Sequence, residues 1–107
     1  SVDEDSQSIK ERKNVSANGF IEATILITPK GNVHNRPLIT FRGLPIYEKE
    51  EFQNGLEDEI DRTIKSFSLN NKKQETNLVD ALKSTCRKFT KLKTGKRPLA
   101  NINLVRI

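Results

Sequence analysis

A single histidine, His34, and a single cysteine, Cys86, carry what little nucleophilic or metal-binding potential this chain has. His34 lies in a stretch rich in Gly, Asn and Pro, and no Cys, Asp or Glu stands at zinc-ligand spacing from it, so a loop histidine is expected and a metal ligand is not. Cys86 falls on an apolar stripe with Leu78, Leu82 and Phe89, which makes it a small core residue and not an activated thiolate. With one cysteine there is no intramolecular disulfide. Thr94-Gly95-Lys96 is no phosphate loop, because it follows a helical pattern where that loop must precede one and lacks the first glycine of the motif. Glu50, Glu51, Glu57, Asp58, Glu59 and Asp61 recur at helical spacing, forming a solvated acidic face and not an acid and base pair or a calcium loop.

The remaining chemistry is electrostatic. Every acidic residue lies at or before Asp80, whereas Lys83, Arg87, Lys88, Lys91, Lys93, Lys96, Arg97 and Arg106 follow it unopposed. Residues 1–80 carry net −3 and residues 81–107 carry +8, giving the overall +5. Two readings stand. Lys88, Lys91, Lys93, Lys96 and Arg97 can meet the phosphates of a nucleic acid, with affinity that falls as salt rises. Alternatively they pair with Glu57, Glu59 or Asp61 within the fold. There is no aromatic interleaving of the kind that stacks single-stranded bases, because the one Tyr and the five Phe residues mostly fall on expected core positions, so a nucleic-acid contact here is of the non-sequence-reading kind.

These residues need elements to hold them. FIEATILIT, residues 20–28, is rich in β-branched types and alternates, with Ile21, Ala23, Ile25 and Ile27 on one side and Phe20, Glu22, Thr24 and Leu26 on the other. A strand is expected there, then a turn at Pro29–Asn32, and a second short strand at Leu38–Arg42 after a long loop through His34 and Pro37. Phe52, Leu56, Ile60, Ile64 and Phe67 predict a helix from Tyr47 to about Ser68. Leu78, Ala81, Leu82, Cys86 and Phe89 predict another from about Asn77 to Leu92, with Asn77 and Asp80 placed for its N-cap and Gly95 and Pro98 closing it. Leu99–Ile107 reads as a final strand. The expected fold class is α+β, a three-stranded sheet with two helices packed on one face, in the order β-β-α-α-β. Phe20 and Leu26 on the other sheet face are candidates for a self-association surface.

At 107 residues there is room for one domain. Residues 1–13, polar and of mixed charge, are expected to be a linker or disordered lead, and residues 14–107 the domain. Neither a signal-peptide pattern nor a membrane-length apolar run occurs, so a reducing cytoplasm is expected. A first residue of Ser1 followed by a polar acidic stretch suggests a piece of a longer polypeptide.

Gly19-Phe20-Ile21 with its strand, Arg36-Pro37-Leu38-Ile39-Thr40-Phe41-Arg42-Gly43, and Lys93-Thr94-Gly95-Lys96-Arg97-Pro98 before a terminal strand resemble the C-terminal domain of ribonuclease J. The resemblance covers about residue 8 to residue 107, including the basic pattern of Ile9 to Asn14, and the helix lengths and element order agree. Leu44-Pro45-Ile46 and the polar Asn101 and Asn103 depart from the family pattern. The resemblance implies an accessory domain of a bacterial ribonuclease whose metallo-β-lactamase domain holds two zinc ions and carries an inserted β-CASP domain. Such enzymes hydrolyse RNA from the 5′ end and internally. It also implies a flexible connection to those catalytic domains of the same chain, support of a homodimer, and no catalytic or zinc-binding residue in this segment. The alternative is a free-standing basic nucleic-acid-binding module with no enzyme attached.

Overall fold

A computed structural model describes residues 2–107. In chain order its elements are α1 (Val2–Asn18), β1 (Phe20–Ile27), β2 (Val33–Arg42), α2 (Lys49–Lys65), a 3₁₀ turn (Lys72–Gln74), α3 (Glu75–Thr94) and β3 (Leu99–Arg106). The sheet order is β2-β1-β3, with β1 antiparallel to β2 and parallel to β3. A parallel return needs a long crossover, and α2 with α3 supplies it. The expected α+β class and β-β-α-α-β order therefore hold, with α1 added in front.

Strict alternation in β1 decides which sheet face is covered. Ile21, Ala23, Ile25 and Ile27 are buried, and they meet Phe52, Leu56, Ile60 and Ile64 of α2 and Leu78, Leu82 and Cys86 of α3 in one core. Each buried isoleucine of this strand contributes about 1.5–3 kcal/mol through the apolar area it removes from water. The opposite face is open to solvent and only half covers Phe20, Glu22, Thr24 and Leu26.

Several boundaries differ from those expected. Val2–Asn18 is helical, where a linker or disordered lead was expected over residues 1–13. Its side chains from Gln7 to Lys13 are exposed, Ile9 included. Gly19 then turns the chain into β1 at φ 83°, where a Cβ would lie 2.6 Å from the Leu44 side chain. The hairpin turn is shorter and β2 longer than expected, because Thr28 N–H donates to the Asn32 carbonyl (2.8 Å) and closes the turn early. His34 and Pro37 thus belong to a strand and not to a loop. Their irregularity is absorbed as a bulge: Thr24 pairs with Leu38 and Leu26 with His34, leaving Asn35, Arg36 and Pro37 opposite Ile25, with Asn35 at φ 62°. Tyr47 is 93% exposed and stands outside α2. Asn77 and Asp80 lie inside α3 and do not cap it. Asn71 instead accepts from Lys73 N–H (2.9 Å) and starts the 3₁₀ turn that leads into the helix.

Candidate nucleic-acid interface

The geometry of the basic segment follows from how α3 ends. Gly95 adopts φ 79°, the left-handed conformation that glycine accepts without strain, and its N–H donates to the Lys91 carbonyl at 2.9 Å. Lys96 N–H donates to the Thr94 hydroxyl at 3.1 Å. The chain is thereby turned back along the helix end before Pro98, which is buried and leads into β3. Arg97 returns to the outer face of α3, where Ser84, Arg87, Lys88, Lys91, Leu92 and Arg97 line a cleft of about 450 Å³. Leu92 is 80% exposed and gives this cationic cleft an apolar wall.

Of the five basic residues singled out from sequence, Lys88, Lys91 and Arg97 share that cleft. The other two do not. Lys93 sits with its ammonium 5.6 Å from the centre of the Phe89 ring, and lines a separate groove of about 360 Å³ together with Ile46, Tyr47, Phe52 and Gly55. Lys96 is exposed in the connector. Arg87, Ser84 and Leu92 were not among the candidates, although the spacing of 84, 87, 88 and 91 marks one face of a helix.

Of the acidic residues expected as internal partners, Glu57 and Glu59 are engaged elsewhere, and Asp61 meets no cation of the basic segment among the described residues. Glu57, nearly buried, accepts from Arg36 at 2.9 Å, and Glu59 pairs with Arg62 on its own helix. Arg106 donates through Nε to Glu75 at 2.8 Å and through Nη2 to the Leu69 carbonyl at 2.7 Å. Among the described residues no ion pair joins a carboxylate to any cation from Arg87 to Arg97. Their charge is directed at solvent, where a polyanion can displace their counterions.

The self-association candidates lie at opposite ends of the open sheet face. Phe20 is covered by the Arg42 guanidinium, 5.2 Å from its ring centre, and neighbours Leu99, whereas Leu26 lies between His34 and Val105. Between them Asn101 donates to Glu22 (2.8 Å) and Asn103 to Thr24 (3.2 Å), so the apolar ends are separated by a polar ladder. Leu38 and Val105, 62% and 41% exposed, add apolar surface on this face.

Nucleophilic chemistry finds no support at the thiol. Cys86 is fully buried, and burial pushes its pKa from 9.0 up to about 12 against a small opposing pull from Arg87, so it stays a thiol. Among the described residues no group of three or more His, Cys, Asp or Glu side chains is arranged to hold a metal ion. Nor is any described helix long and apolar enough to cross a membrane.

Against known families, a model described as the ribonuclease J C-terminal domain matches residues 7–107, nearly the whole chain. No individual curated protein matches.

Proposed function

The chain belongs to the ribonuclease J C-terminal domain family, and on that footing we propose that it is a non-catalytic accessory domain of a cytoplasmic ribonuclease J-like enzyme. It supports dimer assembly, works beside catalytic domains of the same chain, and adds a weak electrostatic contact to the RNA substrate. Zinc belongs to those catalytic domains. The described residues of this chain do not fit it, since His34 is exposed on β2 with no second ligand beside it and Cys86 is buried as a thiol.

One observation carries the RNA contact: Arg87, Lys88, Lys91 and Arg97 converge on a single cleft, with no carboxylate partner among the described residues. Cations held this way on a helix and its C-terminal turn track a phosphate backbone without reading bases. Exposed Leu92 offers a surface for the apolar side of a ribose or base.

Binding of a fluorescent single-stranded RNA to the 107-residue chain across a salt series tests this. Lys88→Gln with Lys91→Gln is expected to lower the slope of log K against log salt by roughly 0.7 for each phosphate that is no longer neutralised. Binding should be indifferent to base sequence. An unchanged slope in a folded double variant would remove the cleft from the RNA contact.

A further inference from the structure

The two edges of the sheet are unlike. β2 carries the devices that stop an edge from pairing: a bulge with Asn35 in a left-handed conformation, Pro37 with no N–H, and the cations Arg36 and Arg42. β3 carries none of these from Leu99 to Val105. It pairs with β1 residue for residue without a register shift, has no strand on its far side, and contains no proline, glycine or charged side chain over that stretch. α1 touches β3, and its Ile9 is 50% exposed.

Which backbone groups face outward follows from the ladder. Leu99 N–H donates to Gly19 and Ile107 N–H to Ile27, so by the two-residue period of a parallel pair the odd-numbered residues of β3 face β1. Ala100, Ile102 and Leu104 therefore present N–H and C=O groups to the free edge.

We propose that this edge pairs with the same edge of a second copy, antiparallel about a two-fold axis through Ile102, joining two three-stranded sheets into one. The proposal rests on the self-association reading above and specifies its surface. Only registers matching even residues with even residues can form the ladder, and the one centred on Ile102 also matches side chains like with like. Ala100 faces Leu104 and Ile102 faces Ile102 on the helix side. Leu99 faces Val105 and Asn101 faces Asn103 on the open side. The amides complement one another: after their bonds to Glu22 and Thr24, Asn103 keeps an N–H and Asn101 keeps Oδ1 without a partner among the described residues. Centring one residue either way sets Asn against Leu or Val. Because the axis is perpendicular to the sheet, both copies carry α3 and its cationic cleft on the same side of the joined sheet.

Sedimentation of the chain over a concentration series, with copper-phenanthroline oxidation of cysteine variants, tests this. Wild type is expected to form a reversible dimer. Mixing Asn101→Cys with Asn103→Cys should give a cross-linked heterodimer, since facing residues of a non-hydrogen-bonded pair lie about 4.5 Å apart between Cα atoms, within disulfide reach. Each variant alone should cross-link at least tenfold less. Leu104→Pro removes an outward N–H and some of the packing of Leu104 against the core but leaves the bonds of β3 to β1 in place, so the variant, its fold checked by circular dichroism, should be monomeric. If wild type dimerises while Leu104→Pro still dimerises, or the mixture does not cross-link, the edge proposal falls and the self-association reading survives. A wild-type chain monomeric throughout the series would overturn both.

Discussion

Helices α2 and α3 share one core and show solvent opposite charge, and the use each makes of its charge differs. They meet along Phe52 and Phe89, with ring centres 5.2 Å apart, and through the hydroxyls of Thr63 and Thr85 at 2.7 Å. On α2 the charges serve the fold: Glu50 and Glu51 occupy the first turn, where acid favours the helix dipole, and Glu57 reaches β2 to hold Arg36 at the bulge. On α3 the cations from Arg87 to Lys91 hold no carboxylate among the described residues and line a cleft instead. Two helices of similar amphipathic build can thus divide the work, one using its polar face for folding and the other keeping it for a partner.

The shared part of the comparison carries the largest effect. Leu56 of α2 and Leu82 of α3 are both fully buried, so replacing either with Ala should cost about 2–5 kcal/mol, from reduced burial plus the cavity left behind. Urea unfolding should give both variants similar losses. A loss confined to one of them would mean that the core belongs mainly to the other helix.

A smaller effect is expected at the acidic helix. Glu57→Gln keeps the shape of the side chain and removes the charge that Arg36 meets. It should lower stability by about 1 kcal/mol, the scale of one hydrogen bond, because Arg36 is 73% exposed and water takes up the freed guanidinium. RNA affinity and its salt slope should not move. A changed slope would show that α2 also shapes the RNA contact.

The sequence makes the α3 stripe and the β1 alternation legible because each repeats over many residues. Ile21, Ala23, Ile25 and Ile27 had to share a face, as did Leu78, Leu82 and Cys86. The β2 bulge was not legible. Asn35 and Pro37 look like a loop in isolation, and only their pairing against Ile25 makes them part of an edge strand. α1 was missed for a related reason: its exposed Gln7–Lys13 stretch carries no apolar stripe to read. At the candidate site the basic composition was visible, but not its division. Lys93 leaves the cleft for the Phe89 ring while Arg97 returns to it, and that depends on the turn at Gly95. Glu57 could not be assigned to Arg36 across 21 residues before β2 was known to run beside α2.

The smallest expected effect on stability is the one that separates the helices. Lys88→Gln with Lys91→Gln removes two cations from a cluster that also holds Arg87 and Arg97. Removing Lys91 from the last turn weakens a favourable dipole interaction of about 0.3–1 kcal/mol. Relief of repulsion among four neighbouring cations acts the other way, and neither residue gives up an ion pair. The net change should stay within about 0.5 kcal/mol, the usual range for surface sites, and shrink further with salt. The mirror experiment, Glu50→Gln with Glu51→Gln, should cost about 0.3–1 kcal/mol at low salt, the weakened dipole interaction outweighing the relief of repulsion with Glu48 at the N-cap. Thermal unfolding of both double variants at two ionic strengths measures the pair. If the lysine variant loses as much stability as the glutamate variant, the cations of α3 serve the fold as the acids of α2 do, and the division between the helices fails.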